Sequence, residues 1–209
     1  AVCERIGVPL ADEGRLCEHV FPRSGPCGRP LRGGAHAHCC GGTAGVRTVR
    51  RHNPLAQEFA RILASAGRHV AMEQRDPDMG PRARLDIVEY VSDAGGPAAY
   101  DVSVVTPLRG DARLREACAR QLGWAAAERH RFKLNQQYAG RVPGAVLVPL
   151  VAETGGRRHS SVPQLVRRLE KECAARASVA DHGAFVGALV ARWAASLSGL
   201  LIRGQAAVV

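Results

Sequence analysis

The amino-acid sequence predicts an α/β domain in which a helix, three strands, a helix and a further strand follow one another, with a small Cys/His-rich module before them and helices after them. Apolar residues recur at helical spacing after residue 53, and short apolar runs bounded by Gly, Pro and Asp follow. Five of the seven cysteines precede residue 41. With 209 residues, of which 46% are hydrophobic, the chain is long enough to bury one core.

The predicted elements follow from local periodicity and from turn residues. Asn53 is predicted to cap the first helix, because Pro54 suits the first helical position, and Gly67 ends that helix. The turn sequence DAGGP at residues 93–97 makes the second and third strands a predicted hairpin. The predicted strands cover residues 69–74, 85–91, 99–106 and 145–153, and the predicted later helices cover residues 111–138, 162–176 and 181–200.

The long helix over residues 111–138 is predicted to turn an apolar stripe, which includes Leu122 and Phe132, toward the sheet. Lys133 falls at the margin of this stripe on a helical wheel, so it is expected beside the sheet and not in bulk water. The strand over residues 145–153 is almost continuously apolar, which is typical of a strand that is covered on both faces.

The composition indicates a polyanionic partner. The formal net charge is +10 and the isoelectric point is about 10.0, and clustered arginines steer and hold phosphates. Nucleic acid, whether DNA or RNA, is such a polyanion. A membrane partner is not expected, because no uncharged apolar run is long enough to span a bilayer and no basic amphipathic stretch has a bulky aromatic face.

The N-terminal end does not have the pattern of a secretory signal, because Glu4 and Arg5 stand where an apolar stretch would be needed. An intracellular location is therefore expected. The chain begins with Ala1, which leads us to expect a piece of a longer polypeptide.

Residues 16–45 are rich in Gly, Pro, Cys and His and have almost no apolar periodicity, so side chains alone cannot build a core there. A metal ion is the expected stabiliser, because structural zinc takes four tetrahedral Cys or His ligands. The predicted zinc ligands are Cys17, Cys27, His36 and Cys40, with His19, His38 and Cys39 as rivals of Cys17. A loose loop with unliganded thiols is the alternative.

Two aspartates mark the predicted hairpin. Asp86 and Asp101 lie in apolar runs on successive strands, and pairing of those strands can bring their carboxylates together. Two carboxylates on rigid strands suit Mg²⁺, which keeps several waters and also binds phosphate oxygens. Such an ion lowers the pKa of a bound water and neutralises charge on a scissile phosphate. The alternative is that each aspartate faces solvent on an alternating strand.

Lysine is rare in this chain and occurs only at Lys133 and Lys171, whereas arginine supplies the other cationic side chains. A lysine ammonium is compact and its pKa shifts readily on burial. Lys133, beside the predicted sheet, is therefore a candidate to orient a water or to stabilise a phosphate. Codon bias is the alternative explanation for the scarcity of lysine.

An ordered set of residues carries a resemblance to a known family. The set comprises Cys27, His36 and Cys40, then the turn Arg51-His52-Asn53, and then Glu73, Asp86, Asp101, Lys133 and Tyr138. Helix, three strands, helix and strand, with acidic residues on the second and third strands, resembles the PD-(D/E)XK nuclease core. More closely, the chain resembles the restriction-like endonuclease region of site-specific non-LTR retrotransposon proteins. That family joins a zinc knuckle to such a nuclease and carries its lysine on the following helix, ahead of a tyrosine.

The resemblance implies a reverse transcriptase-associated hydrolase that nicks target DNA in a nucleus, as part of a longer retrotransposon polypeptide. It implies that Asp86 and Asp101 bind Mg²⁺, that Lys133 positions the attacking water or steadies the phosphate, and that Glu73 assists. Tyr138 belongs to the same set, with packing as the alternative. The zinc of the knuckle is structural. The implied domains are a zinc-knuckle-like module at residues 1–50, a restriction-like endonuclease core at 51–160 and a helical extension at 161–209.

The chain departs from the family pattern at three points. Leu85 stands where a proline precedes the first aspartate, and Ser103 stands where an orthodox member carries its lysine. The separation between Lys133 and Tyr138 is one residue longer than the family pattern has it. A catalytically inactive nucleic-acid-binding module of the same fold is therefore the main alternative, and a zinc-stabilised protein-interaction domain is a third.

Basic residues near the predicted site are expected to contact a nucleic-acid backbone. They are Arg50, Arg51, His52, Arg129 and Arg131. For His52, the alternatives are ligation of a metal or a turn that caps the first helix. For Glu73, the alternative is an ordinary surface position.

Overall fold

A computed structural model of the 209-residue chain describes residues 16–22, 24–30, 36, 40, 48–75, 84–90, 96–107, 112–140, 142, 144–176 and 182–206. The described residues form a mixed α/β structure with a four-stranded sheet and five helices. This confirms the predicted α/β class. None of the described helices is long and apolar enough to cross a membrane.

A short hairpin begins the described part of the chain. Strand β1 (Val20–Phe21) pairs antiparallel with strand β2 (Gly25–Pro26). Beyond the strands, the amide of Cys17 donates a hydrogen bond to the carbonyl of Arg29 at 2.8 Å. The two arms of the hairpin therefore stay together past the ends of the strands, which brings residues of each arm close to the other.

The main sheet has four strands in the order β3, β4, β5, β6. Strand β3 (Val70–Arg75) pairs antiparallel with β4 (Arg84–Glu89), and β4 pairs antiparallel with β5 (Ala98–Val105). The predicted pairing of the second and third strands is confirmed. Strand β6 (Val146–Glu153) runs parallel to β5, so the chain must cross over between them, and helices supply the crossover.

The helices are α1 (Asn53–Ser65), α2 (Ala112–Arg120), α3 (Trp124–Phe132), α4 (Ser161–Arg176) and α5 (His182–Ala206). A π-helical turn over Thr48–His52 leads directly into α1. Helical backbone is therefore already present before Asn53, and no side chain caps the start of α1. The predicted cap at Asn53 is wrong for this reason, whereas Pro54 lies in the first turn as predicted.

The single long helix predicted over residues 111–138 is divided in the structure. Gly123 lies between α2 and α3 with a left-handed backbone at φ 84°, a conformation that side chains with a Cβ rarely adopt. Leu122 beside it is 74% exposed and Phe132 is 37% exposed, so neither belongs to a core-facing stripe. After α3 the chain continues as a π-helical turn over Lys133–Gln137. The prediction of one continuous helix is therefore wrong.

The core covers both faces of the sheet. On one face, Tyr100 of β5 packs in a cluster with α1, α4 and α5, where Trp193 and Leu197 are fully buried. On the other face, Val151 of β6 packs against Ala126 of α3. Strands β5 and β6 are thus covered on both sides, as the apolar texture of the last strand predicts. Helix α3 in turn holds the following π-helical turn near the sheet.

Candidate functional site

Asp86 lies in β4 with both of its carboxylate oxygens in contact with other groups. Its Oδ2 accepts a hydrogen bond from the amide of Val102 at 2.7 Å, and its Oδ1 lies 3.2 Å from Nε2 of His52. The first contact joins the carboxylate to β5, and the second joins it to the residue that precedes α1. Asp86 is only 7% exposed, so sheet and helix together fix its orientation.

Asp101 lies on the neighbouring strand β5. Ile87 and Tyr100, the residues next to the two aspartates, are paired across β4 and β5. The ammonium of Lys133 forms a buried ion pair with Oδ2 of Asp101. Lys133, which was expected beside the sheet, thus contacts Asp101 directly.

Tyr138 contacts the second oxygen of Asp101. Its hydroxyl donates a hydrogen bond to Oδ1 of Asp101 at 2.8 Å. Nζ of Lys133 lies 5.8 Å from the centroid of the Tyr138 ring. Asp101 therefore has a partner on each carboxylate oxygen, and all three side chains are buried.

A π-helical turn sets the spacing between Lys133 and Tyr138. The amide of Tyr138 donates to the carbonyl of Lys133 at 3.0 Å, a bond that closes the wide turn of a π-helix. This bond spans one residue more than an α-helical bond does. The extra residue between the lysine and the tyrosine is thus taken up by the backbone, and the two side chains remain next to each other.

Burial and charge act on the protonation of this cluster. Burial lowers the pKa of Lys133 to about 8, and the negative charge of Asp86 opposes that shift. Burial raises the pKa of Tyr138, and the charge of Asp86 adds to the effect. Lys133 is therefore mostly an ammonium at neutral pH, as its ion pair with Asp101 requires, and loses its proton near pH 8. Tyr138 stays neutral and donates.

Glu73 lies on β3 opposite Asp86, because its two neighbours Met72 and Gln74 pair with Ile87 and Leu85 of β4. Its φ is 57°, and among the described residues it is the one non-glycine residue with a positive φ. A left-handed backbone at such a residue is strained and is often found at functional sites. The Glu73 side chain is 52% exposed, and its Oε2 lies 3.2 Å from Nη1 of Arg84. Glu73 thus stands at the surface, beside the buried cluster.

An open cleft of about 290 Å³ lies beside Asp86, between the start of α1 and the β3–β4 pair. Its lining consists of His52, Asn53, Ala56, Gln57, Met72, Glu73 and Asp86. Asn53 and Gln57 are one helical turn apart on α1, which puts both amide side chains on the same face. From the sequence, Asn53 was given only a capping role and Gln57 no role, and their spacing along a helix is the signal that could have found this pair of amides.

Glu153 is another residue that the sequence analysis missed. It ends β6, it is 7% exposed, and its Oε1 accepts a hydrogen bond from the amide of Ala126 at 3.2 Å. This bond joins the end of β6 to α3, the helix that leads to Lys133. An acidic residue at the end of an otherwise apolar strand is the signal in the sequence.

The arginines predicted to contact nucleic acid lie in different environments. Arg50 is exposed, and the side chain of Arg131 is 61% exposed with an ion pair inside α3 at 3.1 Å. The guanidinium of Arg129 lies 5.0 Å from the centroid of the Phe132 ring. Arg51 is only 7% exposed, so its burial contradicts the prediction of a surface contact with phosphate.

Four ligand-type side chains converge in the N-terminal module. One ligand atom from each of Cys17, Cys27, His36 and Cys40 lies within 4.8 Å of all the others. The sulfurs of Cys17 and Cys40 are 3.7 Å apart, and Sγ of Cys27 lies 3.2 Å from Nε2 of His36. Tetrahedral zinc with Zn–S bonds of about 2.3 Å sets sulfur ligands about 3.8 Å apart. These four side chains, the predicted set, can therefore hold a metal ion such as zinc.

Backbone hydrogen bonds explain how distant residues of this cluster meet. The amide of Cys27 donates to the carbonyl of His19 at 2.7 Å, across the β1–β2 hairpin that also carries Cys17. The amide of Cys40 donates to the carbonyl of His36 at 2.7 Å, which closes a single turn between those two ligands. A hairpin and a turn each supply one pair of ligands.

The protonation of the cluster is compatible with metal binding. Burial raises the pKa of the Cys17 thiol, so binding of a metal must displace a bound proton. Burial and the charge of Arg29 lower the pKa of His36, so its imidazole is neutral, the form that ligates metals.

The rivals for these ligand positions are placed differently. The ring of His19 packs edge-on against the ring of Phe21, with centroids 4.8 Å apart, and His19 is not one of the four clustered residues. His38 and Cys39 lie outside the described residues.

Comparison with known proteins adds no relative: no protein-family model and no curated protein matches the chain. The interpretation of both sites therefore depends on the geometry of the described residues and on the order of the motifs along the chain.

Proposed function

We propose that this chain is a metal-dependent endonuclease domain that hydrolyses DNA phosphodiesters on a PD-(D/E)XK-like core. The observation that carries the proposal is the buried cluster of Asp86, Asp101, Lys133 and Tyr138 beside an open cleft. Phosphodiester hydrolysis needs carboxylates, a base such as a lysine with a lowered pKa, and a cleft that admits water and substrate.

Each side chain of the cluster has a role in the proposed reaction. Asp86 and Asp101 would hold Mg²⁺, and Glu73 would assist from the edge of the cleft. When bound, the ion neutralises phosphate charge and makes water more acidic. In its neutral form, which its lowered pKa of about 8 makes accessible, Lys133 accepts a proton from the attacking water as the water oxygen bonds to phosphorus. The bond from phosphorus to the leaving sugar oxygen breaks, and that oxygen takes a proton from solvent. Tyr138 orients Asp101 through its hydrogen bond.

Asp86 is better placed than Asp101 to bind a hard divalent ion. Asp86 offers carboxylate oxygen next to the cleft, which suits an ion that also binds water and phosphate. Asp101 has both oxygens in contact, with Lys133 and with Tyr138. Lys133 must therefore leave Oδ2 before Asp101 can serve as a ligand, and loss of its proton weakens the ion pair that holds it there.

DNA is the proposed substrate because of charge. The chain carries a formal net charge of +10, and Arg50 and Arg131 present exposed guanidinium groups. Guanidinium groups bind phosphate and lose affinity as salt rises. The proposal of target-site nicking in a nucleus, within a longer retrotransposon polypeptide, rests on the resemblance of the ordered motifs, including the zinc-knuckle-like module.

A plasmid-nicking assay with Mg²⁺ tests the proposed function. We expect the purified chain to convert supercoiled plasmid to open circles, and Asp86→Asn to lower the rate at least ~100-fold, as loss of transition-state stabilisation does elsewhere. Glu116→Gln is the matched control, because Glu116 is an exposed carboxylate on α2, and it should nick at the wild-type rate. Equal nicking by wild type and Asp86→Asn would exclude this site.

One observation favours a second candidate function. The ammonium of Lys133 already neutralises Asp101, as a bound cation would do. In a module that binds nucleic acid without cleaving it, the ion pair between Lys133 and Asp101 would be permanent. Salt-dependent binding of DNA without nicking in Mg²⁺ or Mn²⁺ would support this second candidate over the endonuclease.

A further inference from the structure

We propose that the cleft beside α1 is a metal site whose protein ligands are His52 and Asp86, and that it prefers Mn²⁺, or another divalent ion that accepts imidazole, to Mg²⁺. The catalytic use of such an ion rests on the proposed function, whereas the binding site itself does not. Asp101 is not a ligand of this ion while Lys133 holds its Oδ2.

The contact between His52 and Asp86 has the geometry of two adjacent ligands. Nε2 of His52 lies 3.2 Å from Oδ1 of Asp86. Ligand atoms about 2.1 to 2.2 Å from one ion, at right angles to each other, are about 3 Å apart. The separation of these two atoms is therefore compatible with an ion that replaces the hydrogen bond between them.

A hydrogen bond to Oδ2 fixes the orientation of the Asp86 carboxylate, so that Oδ1 can bind an ion. The amide of Val102 donates to Oδ2 at 2.7 Å, which leaves Oδ1 as the oxygen directed at His52. Asp86 is 7% exposed and the His52 side chain is 26% exposed. The carboxylate is thus rigid, and the imidazole remains within reach of solvent.

The lining of the cleft is suited to a cation. Two carboxylates, Asp86 and Glu73, and two amide side chains, Asn53 and Gln57, offer oxygens, and His52 offers nitrogen. No Arg or Lys is among these lining residues, although the chain has a net charge of +10. A cleft for a bare phosphate would have the opposite lining.

The occupied oxygens of Asp101 separate this site from the buried cluster. Lys133 and Tyr138 contact the two oxygens of Asp101, so the nearest partner that Asp86 has for sharing an ion is His52. Asp86 therefore lies between the ammonium of Lys133, on the side of Asp101, and the cleft, on the side of His52.

The ligand types determine the preferred ion. Mg²⁺ takes oxygen ligands almost entirely and dehydrates with difficulty. An imidazole ligand favours transition metals, and Mn²⁺ accepts carboxylate and imidazole together. Waters and substrate phosphate complete the coordination of ions that have few protein ligands.

Electron paramagnetic resonance of Mn²⁺ tests this site directly. The full 209-residue chain is first loaded with one equivalent of zinc, which fills the thiolate cluster, is freed of excess zinc, and is then titrated with Mn²⁺ alone. We expect one bound Mn²⁺ whose electron spin echo shows coupling to a nitrogen nucleus. His52→Ala should weaken binding at least ~10-fold and abolish that coupling, because even indirect partners of a metal contribute 10- to 100-fold.

Matched variants keep the test decisive. His69→Ala removes an exposed histidine and should leave both affinity and nitrogen coupling unchanged. His52→Gln can still donate a hydrogen bond to Asp86, so it controls for loss of structure, and it should also abolish the coupling. Bound Mn²⁺ without nitrogen coupling in the wild type, or no bound Mn²⁺, overturns the inference. Coupling that depends on His52 in a protein that does not nick DNA supports the inference and refutes the proposed function.

Discussion

The ammonium of Lys133 and the carboxylate of Asp101 form an ion pair in which both residues are almost fully buried, at 2% and 5% exposure. The pair joins the π-helical turn after α3 to strand β5. Removal of two charges from water is costly, and the cost is met only while both partners are present. Stability and the proposed activity therefore depend on the same contact.

The first prediction concerns the stability of this pair. Asp101→Asn leaves a buried ammonium and Lys133→Met leaves a buried carboxylate, so each should lower the free energy of unfolding by about 3–5 kcal/mol. The double variant leaves neither charge and should lose less than the sum of the two. Urea denaturation followed by circular dichroism measures all three.

A surface pair provides the control for that cycle. Glu116 and Arg120 form an exposed ion pair within α2, and Glu116→Gln should change the free energy of unfolding by at most about 0.5 kcal/mol. Strict additivity of Asp101→Asn and Lys133→Met would mean that the buried pair contributes no coupling energy.

The second prediction is a pH dependence of nicking. Burial lowers the pKa of Lys133 to about 8, so the side chain is charged below that pH and neutral above it. If Lys133 accepts the proton of water, the rate rises with pH up to about 8 and then levels off. Lys133→Arg stays protonated throughout and should lose this rise. A wild-type rate that falls across pH 8 would instead require the charged form.

The third prediction concerns zinc. The purified chain should contain one zinc ion per molecule, and Cys40→Ser should lose it because a ligand of the four-residue cluster is gone. Hydrogen exchange should then accelerate at the amides of Cys17 and Cys27, which bond across the hairpin, while amides of the main sheet stay protected. Cys173→Ser, outside the cluster, should retain zinc, and loss of the metal from it would contradict the assignment.

The fourth prediction concerns the C-terminal helices. Leu197 of α5 is fully buried in the main core, so Leu197→Ala should lower the free energy of unfolding by about 2–5 kcal/mol. Leu122 is 74% exposed, and Leu122→Ala should change it by at most about 0.5 kcal/mol. Thermal denaturation compares the two variants. Equal effects would mean that α5 is not part of the cooperative core.

Strands were predictable from the sequence because their apolar runs are short and are bounded by turn residues. The predicted strand at 99–106 and the observed β5 (Ala98–Val105) differ by one residue at each end. The clustered residues Cys17, Cys27, His36 and Cys40 were also predictable, because Cys and His in a segment without a core have few other roles. Their geometry was not, since it depends on a hairpin that only the folded backbone reveals.

The features that the sequence did not predict depend on backbone geometry and on packing between elements. Helical periodicity runs through Gly123 without interruption, whereas the backbone leaves the helix at residues 121–123, where Gly123 is left-handed. The burial of Arg51 depends on how the π-helical turn before α1 packs, which composition does not indicate. The cleft beside Asp86 depends on the angle between α1 and the sheet, which no local pattern encodes.

The π-helical turn at Lys133–Gln137 also has a consequence for the direction of the chain. One residue inserted into an α-helix rotates everything after it by about 100° around the axis. In the π-helical turn the additional residue widens the helix instead of rotating the chain that follows, so the Tyr138 hydroxyl still reaches Asp101. A one-residue deletion within residues 134–136 can therefore be accommodated by rewinding to ordinary α-helix, whereas the same deletion inside α3 would swing Lys133 away from the sheet.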